Sequence, residues 1–139
     1  MKCRTALLFL MLLVPGVAFA QQQAPQTPEQ REKQMYENIQ KQVDDMADRL
    51  DLEDWQVFYA DSILTANFGE LAREYEQLGR NRVSDPDIYV RIQDGCMEKN
   101  YNAFRRILSD EQWAKYLKSG AAREKKARDK RAAKREKKS

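Results

Sequence analysis

The fold follows from residues 27–50, TPEQREKQMYENIQKQVDDMADRL. Thr27, Pro28 and Gln30 supply a helix start, because a Thr cap, a Pro at the first helical position and a Gln three residues after the cap form a capping box. Five apolar residues then recur three or four positions apart: Met35, Ile39, Val43, Met46 and Leu50. This spacing predicts one helix from about Pro28 to Leu50, with a single apolar face that needs a partner.

Three more helical segments come after it. Acidic residues 51–54 suit a helix N-terminus, and a second apolar series runs from there to Leu78, just before Gly79. Asp85 and Pro86 open a third helix, whose two adjoining apolar stripes indicate contact with more than one neighbour. Residues 109–112 form another capping box and begin a short fourth helix, which we expect to end at Gly120.

These segments predict an all-α fold of about four helices over residues 28–120. No Asn-Gly or Asp-Gly turn joins two alternating apolar runs, as a β-hairpin would require. Three long amphipathic stripes are difficult to bury in one thin layer of hairpins, so we expect a homodimer.

The N-terminus predicts export. Residues 1–20 carry Lys2 and Arg4, then an apolar run, then Ala18-Phe19-Ala20, which is the pattern of a secretory signal peptide cleaved after Ala20. We therefore expect a periplasmic or secreted protein. Residues 21–27 are polar and predict a flexible lead. The apolar run is too short for a transmembrane segment, and no later segment is apolar enough.

Charge is distributed unevenly along the mature chain. Residues 121–139 contain ten Lys or Arg and three Asp or Glu, whereas residues 21–120 contain thirteen and nineteen. The segment 121–139 is a basic tail, helical only if it finds a partner. Because the protein is expected to be exported, we expect an anionic surface rather than nucleic acid as its partner; a solvated tail that only aids solubility is the alternative.

Composition argues against an enzyme. The chain has no His, which removes the usual general base and the commonest metal ligand. No nucleophile and base pair, phosphate loop or cofactor motif is present, so we predict no catalytic residues and no cofactor. The acidic residues around 44–54 lack the spacing of a calcium loop, and helix capping with a solvated face explains them better than a metal site.

Several residues allow two interpretations. Cys96 is the one Cys of the mature chain, and a core position is favoured over an intermolecular disulfide. Trp55 and Trp113 are either core anchors or surface for a partner. Three methionines are either packing, which we favour, or adaptable contacts for unfolded clients: Met35, Met46 and Met97.

Two short motifs repeat. Leu108-Ser109-Asp110-Glu111-Gln112 resembles the Leu-Thr-x-x-Gln motif of the periplasmic Spy/CpxP family, with Ser in place of Thr. Leu52-Glu53-Asp54-Trp55-Gln56 resembles the earlier copy, with Glu53 in place of Thr. The physical role of such a motif is to cap a helix while its Leu anchors the entering chain, so we assign Leu52, Gln56, Leu108, Ser109 and Gln112 a structural role.

The resemblance covers about residues 30–118. It implies a small dimeric cradle of helical hairpins that holds unfolded or aggregating envelope proteins without ATP, or that takes part in the envelope stress response. Independently of the resemblance, a non-enzymatic adaptor or structural protein remains open, with its helices docked on one fixed partner and its basic tail on an anionic surface.

Overall fold

The computed structural model describes residues 25–137. It contains five α-helices and one π-helical turn: α1 Pro28–Leu50, α2 Asp54–Arg80, α3 Pro86–Ile107, α4 Asp110–Tyr116, the π-turn Leu117–Ala121 and α5 Ala122–Glu136. Within the described range no residue lies in a β-strand, so the all-α prediction is confirmed. The predicted signal peptide and most of the predicted lead lie outside this range.

The helix ends follow local sequence signals. At the start of α1, Gln30 N donates to Thr27 Oγ1 at 3.2 Å and Thr27 N donates to Gln30 Oε1 at 2.9 Å, which completes the predicted capping box. At the start of α3, Asp85 Oδ1 accepts a hydrogen bond from Asp87 N at 2.9 Å. The predicted limits of α1 are confirmed at both ends.

The helices form two hairpins that share α2. This helix packs against α1 on one side and against α3 on the other. The core lies where the ends of these helices meet, and its apolar members are Ile39, Val43, Met46 and Leu50 from α1, Ala60 and Leu64 from α2, and Phe104 and Leu108 from the end of α3. The apolar stripe predicted for α1 is therefore the stripe that forms the core, except that Met35 only packs on its edge.

The chain beyond α4 breaks at the predicted residue and then continues as a further helix. α4 ends at Tyr116, and the π-turn leads on to Gly120, the one residue of that turn with non-helical backbone angles, so the helical break predicted at Gly120 is present. Gly120 has a φ of 118°, a conformation that residues with a Cβ rarely adopt, so the chain changes direction there. The break at residue 120 thus separates α4 and the π-turn from α5, and α5 runs back antiparallel to α3 and contacts it.

None of the helices between residues 25 and 137 is long and apolar enough to cross a bilayer.

Candidate functional site

The two five-residue motifs meet where α1 turns into α2 and α3 turns into α4. Gln56 Nε2 donates to Gln112 Oε1 at 2.7 Å, and Gln112 Nε2 donates to Gln56 Oε1 at 2.9 Å. Each amide also reaches the backbone of the other turn: Gln56 Nε2 donates to Ile107 O at 2.7 Å and Gln112 Nε2 to Asp51 O at 3.1 Å. Because Asp51 and Ile107 each directly precede a motif Leu, the two motifs make equivalent contacts.

The same two amides cap their own helices. Glu53 N donates to Gln56 Oε1 at 2.9 Å, and Ser109 N donates to Gln112 Oε1 at 3.0 Å. Each amide nitrogen therefore donates twice and each amide oxygen accepts twice, which uses the full capacity of both side chains. Gln56 is 3% exposed, so this complete set of hydrogen bonds offsets the cost of burying a polar group.

The motif leucines complete the junction. Leu108 is buried in the core, and Leu52 is half-buried and packs against it. Ser109 Oγ accepts from Gln112 N at 3.2 Å, as the capping role of the motif requires. The five motif residues thus come together in one structural junction that fixes how the two hairpins sit against each other.

The side of α2 opposite the core carries three exposed aromatic side chains, Trp55, Phe58 and Tyr59, which we call the aromatic face. They are 47%, 67% and 51% exposed. Their rings contact one another edge to face, with centroids 6.1 Å apart for Trp55 and Tyr59 and 5.7 Å for Phe58 and Tyr59. Trp55 Nε1 donates to Glu53 Oε2 at 2.8 Å. Three adjacent aromatic rings left in water are typical of a binding surface.

The Trp and Met residues that allow two interpretations lie in different environments. Trp55 lies on the aromatic face, so its interpretation as a core anchor is wrong. Met46 is 3% exposed and belongs to the core, which removes it as a client contact in this chain. Met35 and Met97 are half-buried. Trp113 packs against the core, as an anchor should.

Phe58 and Tyr59 were not predicted as surface residues, although their positions carry a signal. The buried positions of α2 are Gln56, Ala60 and Leu64, which are spaced by four residues. On a helix with 3.6 residues per turn, residues 55 and 58 lie about 140° and 160° from Ala60 at the middle of this stripe, and residue 59 lies about 100° away on its flank. Aromatic residues off the buried stripe can therefore be identified once Gln56 is known to be buried.

Cys96 is buried between α2 and α3, which agrees with the core interpretation. Its Sγ lies 3.4 Å from Asn67 O, and burial raises the pKa of the thiol. Nearby, Asn67 Nδ2 donates to Asn100 Oδ1 at 2.7 Å. Since Asn100 is 4% exposed, this amide pair fixes the register of α2 against α3 in the way that a buried polar pair fixes a helical interface.

A row of four cations on α5 faces acidic residues of α3. We call Lys125, Arg128, Arg131 and Arg135 the inner row. Arg131 binds Asp94 with two hydrogen bonds, 2.9 Å from Nε and 2.6 Å from Nη2, and Arg135 Nη1 lies 3.4 Å from the same carboxylate. The hydrogen bond from Arg131 holds the pKa of Asp94 below its usual range.

The inner row continues toward the start of α5. Arg128 is 7% exposed and lies 3.2 Å from Glu98 Oε2. The guanidinium of Arg128 and the ammonium of Lys125 lie 5.7 Å and 5.9 Å from the ring centroid of Tyr101, within range of cation–π attraction. Tyr101, an apolar-face residue of α3, also packs its ring on Trp113 with the centroids 4.9 Å apart, so it contacts both α4 and the cations of α5.

Between residues 25 and 137 no cluster of three or more His, Cys, Asp or Glu side chains is placed to hold a metal ion. Comparison of the chain with protein-family models, with curated proteins and with solved structures gives no match in any of the three. A function for this chain therefore has to be inferred from the geometry of the junction, the aromatic face and α5.

Proposed function

We propose that the protein is an ATP-independent chaperone of the periplasm, related in function to the Spy/CpxP family, that holds unfolded or aggregating envelope proteins. The observation that carries the proposal is the aromatic face. Unfolded proteins expose apolar segments, and three adjacent rings on a stiff helix offer such segments a contact surface that needs no nucleotide and no movement of the core.

The framework around this face supports a holding role. The capped junction of Gln56 and Gln112 lies at the same end of α2 as Trp55, so the aromatic rings are displayed from the most firmly anchored part of the helix. Exposed Glu53 and Asp54 stand beside Trp55. Acidic groups next to apolar surface favour basic clients and accelerate their capture at low salt.

The test is suppression of aggregation. The mature chain, residues 21–139, is mixed without nucleotide with three chemically unrelated unfolded proteins, and aggregation is followed by light scattering. We expect slower aggregation of all three. No effect on any client at several-fold molar excess would overturn the proposal.

A triple variant tests whether suppression of aggregation depends on the aromatic face. The triple substitution Trp55→Gln, Phe58→Gln and Tyr59→Gln removes the aromatic face without touching a core residue, and we expect it to lose most of the activity. Tyr36→Gln is the matched control, because Tyr36 is 42% exposed but belongs to α1. Equal loss in both variants would show that aromatic content, rather than this face, is what matters. Circular dichroism confirms that both variants remain helical.

The proposal includes the homodimer that the resemblance implies. Light scattering of the mature chain over a range of concentrations measures its mass, and a monomer at all concentrations would remove this part of the proposal without affecting the aggregation test.

The exposed cations of α5 favour a second candidate, a non-enzymatic adaptor whose helices dock on one fixed partner while its basic tail lies on an anionic surface. Cross-linking in the native envelope distinguishes the two. One partner recovered in fixed stoichiometry would favour the adaptor, and many unrelated proteins would favour the chaperone.

A further inference from the structure

The side of α5 turned away from α3 carries a second set of cations. Its five members lie three or four residues apart, and we call them the outer row: Arg123, Lys126, Lys130, Lys134 and Lys137. All five side chains are exposed. At about 100° per residue they occupy a strip about 80° wide, and at 1.5 Å per residue the strip is about 21 Å long. The outer row is therefore a straight and narrow line of positive charge.

The outer row is not used to hold the fold. Within residues 25–137, Lys126, Lys130 and Lys134 make no ion pair, and the nearest carboxylate oxygen to Arg123 is 3.9 Å away, on the adjacent Glu124. The acidic groups of α3 are engaged by the inner row. The chain therefore keeps a row of cations free of α3 on one side of a helix whose other side is neutralised.

The two rows use different cations. The inner row has three Arg and one Lys, and the outer row has four Lys and one Arg. Arg forms planar two-point contacts with carboxylates, which suits the inner row against Asp94 and Glu98. Lys is a compact, strongly hydrated point charge that needs no defined partner geometry. The outer row thus has the chemistry of long-range attraction to a surface rather than of docking into a site.

The outer row also lacks the features of a protein interface. Protein interfaces are depleted in Lys and depend on aromatic, apolar or Arg anchors that fill pockets. Between the cations of this strip the neighbouring small residues are Ala122, Ala127 and Ala133, and no large apolar side chain is present. A layer of anionic lipid headgroups requires neither pockets nor anchors, and each Lys or Arg near such a layer adds to the attraction independently.

We propose that the outer row binds the surface of a bilayer containing anionic phospholipid, with α5 lying flat on the headgroups and without insertion of side chains into the hydrocarbon. The rest of the chain reinforces this orientation. Residues 21–120 carry nineteen acidic against thirteen basic residues, so an anionic surface repels them while attracting α5. The proposal does not depend on the chaperone activity, since it uses no residue of the aromatic face.

The docked state of α5 prepares the outer row for binding. A helix of 15 residues is marginal by itself in water, so free α5 would lose much of the alignment of its cations. The inner row holds the helix on α3 and keeps the outer row straight. Lipid binding consequently involves no folding step, and its cost in conformational entropy is low.

The experiment measures partitioning of residues 21–139 onto vesicles at physiological salt. One set of vesicles is phosphatidylcholine with about one third phosphatidylglycerol, and the other is phosphatidylcholine alone. We expect sedimentation with the anionic vesicles only. The variant Lys126→Gln, Lys130→Gln and Lys134→Gln should bind the anionic vesicles about 100-fold more weakly.

The matched control removes the same charge elsewhere. Lys33→Gln, Lys41→Gln and Arg106→Gln are substitutions of exposed cations on α1 and α3, and we expect a small change in partitioning. Equal losses of vesicle binding in the two variants would show that binding depends only on net charge, and would overturn the proposal. Retained binding by the outer-row variant, or equal binding of the wild type to uncharged vesicles, would also overturn it. Circular dichroism checks that each variant remains folded.

Two further readouts test the occupant and the geometry. Tryptophan emission should stay unchanged on vesicle binding, because both Trp residues lie outside α5; a blue shift would place the aromatic face on the bilayer instead and overturn the proposed orientation. Polyglutamate represents an acidic polypeptide. If it bound as tightly as the vesicles at the same salt and lost binding in the same variant, the outer row would be assigned to an acidic protein and the lipid proposal would fail.

Discussion

Two regions of the molecule are held together by different forces. The junction of α1, α2 and α4 with the end of α3 is apolar, and its buried amides are fully hydrogen-bonded. The contact between α3 and α5 consists of ion pairs and cation–π contacts. Burial of apolar surface is only weakly sensitive to salt, whereas ion pairs weaken with salt to the extent that water reaches them, and those of α5 range from the nearly buried Arg128 to Arg131, whose side chain is 43% exposed. The molecule therefore has a permanent core and a helix whose attachment depends on conditions.

The strongest test of the core is Leu108→Asp. The substitution buries an unpaired charge at the junction of the two motifs, and we expect a loss of about 4 kcal/mol in unfolding free energy, with loss of helicity and of any chaperone activity. Thermal melts by circular dichroism measure it. Leu108→Met conserves volume and should cost less than about 1.5 kcal/mol. A variant Leu108→Asp with a wild-type melt would contradict the assigned core position.

The paired amides give the next largest effect. Gln112→Ala leaves Ser109 N, Asp51 O and the amide of Gln56 without a partner, so we expect a loss of about 2 kcal/mol in urea unfolding. Gln30→Ala removes a glutamine with the same capping role on the exposed start of α1, and should cost at most about 1 kcal/mol. Equal costs would show that the contacts between the motifs contribute nothing beyond capping.

The contrast between core and attached helix also shows what a sequence can predict. The limits of α1 follow from Thr27, Pro28 and the apolar spacing, because local backbone preferences and one buried face decide them. The two motifs can be found in the sequence, but their contact cannot, because 56 residues separate Gln56 from Gln112 and only the three-dimensional fold brings them together. Of the aromatic face, the sequence offers only Trp55 as surface for a partner, and Phe58 and Tyr59 are missed because apolar residues are assigned to the core by default.

The docking of α5 is missed for a different reason. Apolar periodicity reports burial of hydrocarbon, whereas α5 is attached through charge. Its signal is present as a helical row of acids on α3, Asp87, Asp94 and Glu98, opposite a helical row of cations. Such rows stand out only when two segments are compared with each other, and many exposed helices carry similar charges without a partner.

A smaller effect is expected at the interface of α2 and α3. Cys96→Ser replaces a buried thiol with a more polar hydroxyl of similar size, and we expect a loss of about 1 kcal/mol and no change in oligomeric state. Urea unfolding and non-reducing gels measure the two quantities. A dominant disulfide-linked dimer in the native protein would contradict the buried position.

The smallest effect on global stability is expected when the attachment of α5 is weakened, because only this helix should lose protection. The pKa of Asp94 is lowered in the folded protein, chiefly by its hydrogen bonds from Arg131 and also by Arg135. A carboxylate with a lowered folded-state pKa stabilises the folded form above its unfolded pKa of about 3.9, and this contribution disappears as the pH falls through the folded-state value. Above pH 5 we therefore expect full protection of the α5 amides from hydrogen exchange, and below about pH 4 a loss of protection in α5 before the core is affected.

Arg131→Gln should shift this loss to higher pH, and high salt should mimic it at neutral pH because the ion pairs are partly exposed. Lys130→Gln, in the outer row, is the matched control and should leave the protection unchanged. Simultaneous loss of protection in α5 and in α2 would show that the two regions unfold as one unit, and the distinction between core and attached helix would then be wrong.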